Sequence, residues 1–375
     1  MLNNNLSRQL ARSLSHHPVS NPTIASHHHT LSPTRIYTTR AHLSTSQPLS
    51  LPLLDHLSRA KISKLSANMT FPSPFFDKLL AKHSEAMASG HLIYYGAETY
   101  LVQTGDNNEI HYHIRHVPAL NKKPEPSKPI EAPKEFVEPQ KRNPFLPCDE
   151  ELLFSSSLLP NHNIVLNKFC VIPGHTLLTT KVFESQSEPL SLTDVEALFA
   201  IVQKFSPTKT LGFFNCGKLS GASQPHKHLQ LIPLTEQEPP IQKFLSESLA
   251  NQAHDTSLEL TCLPYLHRVA RLSSNNPNTA YNIYSQMLHE LGDKAQHHNL
   301  TVFDGIMYLL PRSKEKFEAS GDEFSINSLG AVHMVLARSS DQITRLKDQM
   351  GLGSQRPIPK SLWIGEWVGW SKSKV

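Results

Sequence analysis

A chain of 375 residues with 38 % hydrophobic content can bury a sizeable core, in one large or two ordinary domains, without a metal or an oligomer to hold it folded. Its formal charge of +4 is unevenly placed: residues 1–68 hold seven Lys and Arg against one acid, so of 36 basic and 32 acidic residues 29 and 31 remain from Met69 onward, a net of −2. That balance argues against a nucleic-acid-binding body, no run approaches the eighteen or so apolar residues of a membrane helix, and four scattered cysteines (Cys148, Cys170, Cys216, Cys262) argue against a thiolate zinc site or a disulfide framework.

The first segment, 1–68, is basic, rich in Ser, Thr and His, and opens with NLSRQLARSL, whose leucines and arginines are spaced as on an amphipathic helix. It reads as a mitochondrial transit peptide, as a disordered tail of no address, or as untranslated sequence ahead of a body opening at Met69, with a cytoplasmic form starting there as the other outcome. The histidines His27 to His29 lie in it and are read as solvated. It is set aside from the fold, and the body divides into 69–245 and 258–375.

FFDKLLAKHSEAMASG predicts a helix closed by Gly90, and HLIYYGAETYLVQTGDNNEIHYHIRHV predicts strands around a polar turn at Gly105 to Asn108. The proline-rich NKKPEPSKPIEAPKEFVEPQKRNPF has no apolar period and reads as a surface connector. NIVLNKFCVI and HTLLTTKVF, joined through Pro173 and Gly174, predict an antiparallel hairpin. LSLTDVEALFAIVQKF predicts a helix, with Thr193 and Glu196 in capping-box spacing and Val195, Leu198, Phe199, Val202 and Phe205 on one face. LGFFNCG reads as a short buried strand; downstream come the helix YNIYSQMLHELGD, the strand-like LTVFDGIMYLLP, and INSLGAVHMVLA. With no βαβ rhythm, the expected class is α+β with an antiparallel sheet.

In SQPHKHLQLIPL, a strand would put His226, His228 and Gln230 on one face and Lys227 and Leu229 on the other. Core histidines bonded to carbonyls, surface histidines or metal ligands would all explain the pair. Upstream, GKLSGASQP offers small residues whose backbone N–H groups can approach an anion, so a phosphate site beside two histidines is the sharper reading. Gln230 stands where a third metal ligand would be needed, and no metal site is expected.

GASQPHKHLQLIPL resembles the active-site segment of the fungal diadenosine tetraphosphate phosphorylases, or ATP adenylyltransferases, of the histidine triad superfamily. VPALNKKP, VLNKFCVIPGHTLLTTKVFESQ, FFNCG, LPRSK and INSLG match in the same order. The resemblance implies a histidine-triad-like antiparallel sheet with packed helices, whose C-terminal half completes the nucleotide pocket. It further implies His228 as nucleophile, oriented by His226, with Gln230 holding the reacting phosphate. Lys123, with Lys122 as second choice, would bind phosphate, and Leu166, Asn167 and Asn215 the nucleotide. Gly221, Ala222, Ser223 and Gln224 would form the phosphate loop; Asn327, Ser328, Leu329, Met334 and Arg338 would contact ligand from the second half. Read without the resemblance, the two lysines are solvated linker charges and the asparagines satisfy strand ends.

Two departures stand out. Arg338 replaces a lysine, keeping the charge but changing its geometry. His333 replaces a glycine, which either narrows the pocket or has no consequence. The implied reaction is cleavage of diadenosine tetraphosphate by inorganic phosphate to ADP and ATP through an adenylyl-histidine. The expected partners are dinucleoside polyphosphates, ATP, ADP and phosphate; any magnesium would enter with the polyphosphate, and no tightly bound cofactor is expected. The alternatives are a hexose-1-phosphate uridylyltransferase-like enzyme, disfavoured because Lys227 and not proline separates the histidines, and a dinucleotide sensor without turnover. The sequence specifies no oligomeric state.

Overall fold

The computed structural model describes residues 37–38, 74–104, 110–118, 143–235, 238–319 and 322–349. In chain order, β1 (Tyr37–Thr38) and helix α1 (Pro74–Ala88) precede β2 (Ile93–Tyr94), β3 (Glu98–Thr104) and β4 (Ile110–His116). After the segment 119–142 come β5 (Leu153–Ser155), β6 (His162–Leu166), β7 (Phe169–Cys170), β8 (Thr176–Thr180), α2 (Leu192–Phe205), β9 (Thr210–Cys216) and β10 (His228–Pro233). The rest comprises α3 (Gln242–Ser248), β11 (Arg268–Arg271), α4 (Pro277–Leu291), β12 (His298–Phe303), β13 (Ile306–Pro311), β14 (Lys316–Ala319), β15 (Asp322–Ser325), α5 (Ser328–Ala331), β16 (Met334–Ala337) and α6 (Ser340–Gln349).

An eight-stranded sheet in the order β11-β13-β12-β9-β10-β8-β6-β5 is antiparallel throughout. The class expected from the residue pattern, α+β on an antiparallel sheet, is the class observed. β9 of the first half pairs with β12 of the second, Asn215 opposite Asn299, so one sheet carries both. Both faces are buried, and alternation sorts the side chains. Phe214, Leu229, Leu231, Leu300 and Met307 join α1, α2 and α4 in one core. Phe213, Ile232, Phe303 and Tyr308 join α3, α6 and a four-stranded sheet, β1-β3-β4-β16, in the other. Tyr37 and Thr38, set aside with the leader by sequence, pair with Leu101 and Tyr100.

Several local expectations are met: α1 ends before a positive-φ Gly90, β6 and β8 are antiparallel, and β9 is buried along its length. Others are corrected. NIVLNKFCVI breaks at Asn167, and Phe169–Cys170 leaves the large sheet to pair in parallel with β2. LTVFDGIMYLLP folds back as the β12–β13 hairpin, because Asp304 (φ 48) and Gly305 (φ 70) supply two successive positive-φ residues. INSLGAVHMVLA divides into an Asn327-capped helical turn, α5, and β16. The cap of α2 is Ser191 with Asp194, two residues earlier than Thr193 and Glu196. Asp194 is pinned there by His162 at 2.8 Å and Lys227 at 3.4 Å. The expected turn at 105–109 and the connector 119–142 lie outside the described residues. All four cysteines are free thiols, and no helix of the described residues is long and apolar enough to cross a membrane.

Candidate active site

His226 and Lys227 do not belong to β10 proper. They pair with the segment after β8, through Lys227 N–H to the Glu184 carbonyl and Gln186 N–H to the Pro225 carbonyl, before the chain enters the sheet at His228. Alternation survives the transition. Lys227 points into the helix side, against Glu184 and Asp194, together with Leu229, while His228 and Gln230 face a cleft on the other side.

The cleft has two lobes. The larger, about 490 Å3, is lined by Phe145, Leu152, Val165, Leu166, Gln224 and His228 among others. The smaller, about 210 Å3, is lined by Arg115, His175, Asn215, Gly221, Asn327, Leu329 and Met334 among others. Asn167, Phe169, Ser223 and Gln230 line both and form the saddle between them. The larger lobe alone is in the size range of a small-molecule site.

His228 is 2 % exposed. Its Nδ1–H donates to the His226 carbonyl at 2.9 Å, and Nε2 makes no hydrogen bond with any described residue. Burial pulls its pKa down to about 4, against the opposing effect of that carbonyl, so the ring is neutral at pH 7 with its lone pair on Nε2. Gln186 clamps the backbone behind it, accepting from His228 N–H at 2.7 Å and donating to the His228 and Asn215 carbonyls. Phe145 flanks both histidine rings.

His226 lines neither lobe. Asn143 Oδ1 accepts from Phe145 N–H, which directs its Nδ2 to His226 Nδ1 at 3.0 Å, and His226 Nε2–H then donates to the Thr180 carbonyl at 2.9 Å. The ring fixes the strand; its carbonyl is what touches His228.

A second relay orients Gln230. Asn167 Oδ1 accepts from Phe169 N–H, so its Nδ2 donates to His175 Nδ1 at 3.1 Å. His175 Nε2–H therefore donates to Gln230 Oε1 at 3.0 Å, leaving the amide N–H donors of Gln230 for the cleft. Burial lowers the His175 pKa to about 4, which keeps this polarity at neutral pH. Sequence reading assigned no role to His175, Gln186, Phe169 or Arg115. His175 sits in the quoted PGHT turn, but only the fold brings it beside Gln230.

Asn215 Oδ1 accepts from Asn299, Ser328 N–H and Ser328 Oγ, so the groups it presents to the smaller lobe are its Nδ2 donors. Ser328 itself lies beneath the cleft, buried between Asn215 and the Phe214 carbonyl. Gly221 has φ +79, and a Cβ there would stand 2.9 Å from the Ile326 carbonyl, so the loop requires glycine. Ala222 lines neither lobe. Arg338 is exposed beyond the end of β16 and also lines neither; the described cations at the cleft are Lys168 and Arg115. Lys122 and Lys123 lie outside the described residues. At His333 the backbone φ is +67, so a glycine there would answer a left-handed conformation and not a need for space in the pocket. The histidine offsets that strain by stacking on Tyr112 and bonding the His111 carbonyl. No three His, Cys, Asp or Glu side chains among the described residues are grouped to hold a metal.

Sheet and cleft together define the class: an α+β protein with a bilobed, polar-floored ligand cleft whose wall presents a neutral imidazole. The family model of the Ap4A phosphorylase N-terminal domain matches residues 66–247, and that of the ATP adenylyltransferase C-terminal domain matches 261–355. The chain belongs to this Ap4A phosphorylase and ATP adenylyltransferase family. It is 25 % identical to Protein APA1 of Saccharomyces cerevisiae over 75 % of this chain and 92 % of that one. Against diadenosine 5',5'''-P1,P4-tetraphosphate phosphorylase 2 of the same yeast it is 25 % identical, over 72 % and 89 %. The crystal structure of yeast Ap4A phosphorylase Apa2 in complex with Ap4A superposes with a TM-score of 0.64 at 22 % identity, covering 81 % of this chain and 99 % of that one.

Proposed function

We propose that the protein cleaves diadenosine tetraphosphate with inorganic phosphate to give ATP and ADP, by way of an adenylyl group carried on Nε2 of His228. The observation that carries this reading is the commitment of His228 Nδ1–H to the His226 carbonyl, which leaves a neutral Nε2 at the junction of two lobes. One adenosine occupies the larger lobe, the far nucleotide extends toward the smaller, and the polyphosphate crosses the saddle.

Nε2 attacks the phosphorus next to the adenosine in the larger lobe. The bond from that phosphorus to its bridging oxygen breaks, the electron pair leaves with ATP, and the carbonyl of His226 stabilises the charge gained by the ring. Phosphate then attacks the same phosphorus from the side ATP vacated, the P–N bond breaks, and ADP departs with neutral His228 restored. Two in-line displacements retain configuration. ATP is a stable anion and needs no proton to leave, so Gln230 serves by donating amide N–H bonds to the non-bridging oxygens, with Ser223 and the loop N–H groups beside it. Magnesium, where it takes part, is held by polyphosphate oxygens. Lys123 adds charge from the connector, and the leader, where translated, directs the chain to mitochondria.

The test is product analysis with diadenosine tetraphosphate and magnesium, with and without inorganic phosphate. ATP plus ADP formed only with phosphate is the expected result. ATP plus AMP without phosphate would make the protein a hydrolase, and no turnover in either tube would return the uridylyl-transfer and sensor readings.

A further inference from the structure

Beneath the smaller lobe lies a cation that the proposed chemistry does not use. Arg312, at the end of β13, is 2 % exposed. Its guanidinium donates to the Asn299 side-chain oxygen and the Ile326 carbonyl, both at 2.6 Å, and to the carbonyls of Lys314 and Glu315. Every partner is a neutral oxygen: among the described residues Arg312 forms no ion pair, and its Nε has no hydrogen-bond partner. Burial lowers its pKa to about 10, opposed by the more distant Glu315 carboxylate, so it stays charged at pH 7. A buried charge without a counter-ion is costly, and a fold that only needed hydrogen-bond donors there could have used neutral ones.

The bonds leading away from Arg312 have one polarity. A guanidinium only donates, so it fixes Asn299 Oδ1 as acceptor; Asn299 Nδ2 then donates to Asn215 Oδ1 at 2.9 Å and to the Ser220 carbonyl at 2.8 Å. Asn215 is left with its Nδ2 donors on the lobe, and Ser220 leads directly into Gly221 of the loop. Two amide dipoles thus stand head to tail between the cation and the cleft, positive ends outward, and each is polarised by the one below.

We propose that Arg312 is a positioning residue through which the smaller lobe selects polyanionic ligands: its charge, which no carboxylate contacts among the described residues and which Asn299 and Asn215 relay to the cleft, is further compensated when a polyphosphate enters. This deepens the reading of the smaller lobe as the site of the nucleotide released as ATP, and rests on that reading.

The experiment compares the dissociation constants of ATP and adenosine, by calorimetry, in the wild type and three variants. Arg312→Lys keeps the charge, Arg312→Gln removes it while keeping a donor for Asn299, and Asn299→Asp introduces a carboxylate against the guanidinium. The last variant forms a paired charge and so keeps the test open if Arg312→Gln does not fold. The preference for ATP over adenosine should fall at least about tenfold in the two neutralised variants and change by less than about twofold in Arg312→Lys. Equal weakening of both ligands in all three, which a structural role alone would produce, overturns the inference. Failure of the wild type to bind ATP or to turn over diadenosine tetraphosphate would instead strike the proposed function, so the two failures are distinguishable.

Discussion

At the scale of single residues, the cleft is organised by which atom of each side chain is already committed. His228 gives Nδ1–H to its own strand and keeps Nε2; Gln230 gives Oε1 to His175 and keeps its amide donors. His228→Ala should leave the melting temperature and ATP binding nearly unchanged while lowering turnover by at least about a thousandfold, as expected for a covalent nucleophile. Turnover near the wild-type rate would remove the nucleophile assignment. His226→Ala should cost less, because the group that touches His228 is the backbone carbonyl of residue 226, which alanine retains. Gln230→His is the finer test. An imidazole nitrogen can accept from His175 Nε2–H in place of the amide oxygen, but its one N–H replaces the two amide donors and brings a transferable proton near the phosphate, so the ADP to AMP product ratio should fall as water discharges the intermediate. An unchanged ratio would contradict the role given to the amide.

At the scale of elements, local patterns named the pieces, and tertiary contacts chose between equivalent local options. Ser191 with Asp194 and Thr193 with Glu196 are both box-spaced, and nothing within α2 prefers one frame. Asp194 decides, because burial raises its carboxyl pKa while the bonds from His162 and Ser191 and the charge of Lys227 outweigh burial and hold it below the usual range. Asp194→Asn would strand Lys227, 3 % exposed, with only the half-exposed Glu184, and should destabilise the protein by about 3 kcal/mol in urea titration. A loss under about 1 kcal/mol would mean that Glu184 alone neutralises Lys227. The Asp304–Gly305 hairpin has a local cause too, D-G between apolar runs, but the continuous apolar texture of LTVFDGIMYLLP reads as one strand and hides the turn. His333 was not legible: the sequence offers pocket space or no consequence, and the left-handed backbone that accounts for the position is visible only in the observed φ.

At the scale of the whole molecule, burial on both faces of the large sheet and within the four-stranded sheet packed on it places histidines where their charged forms are unsupported. His113, His175, His228 and His298 are pushed down to about 4 and His333 to about 3, each chiefly by desolvation. A folded pKa below the unfolded value near 6.5 means that the unfolded chain takes up protons first. Stability is therefore full above about pH 6.5 and drains as pH falls toward 4, each histidine adding up to about 1.4 kcal/mol per pH unit. The melting temperature should fall steeply between pH 6.5 and 5, and a flat profile there would mean that the rings are solvated. Turnover per folded molecule should hold across that window, because His228 stays neutral until pH nears 4.

The sequence by itself determined the three long helices α1, α2 and α4, the alternation that puts His228 and Gln230 on one face, and the order of motif blocks that marks the family, because helix period, strand period and motif spacing are written in consecutive residues. What lay across the sheet was decided only by the tertiary structure. Pairing of β9 with β12 sets Asn215 against Asn299 and through it Arg312, and pairing of β8 with β10 sets His175 against Gln230. Those partners are between 13 and 84 residues apart in the chain, and strand register, fixed by packing of two opposite cores, is the physical term that brings them together.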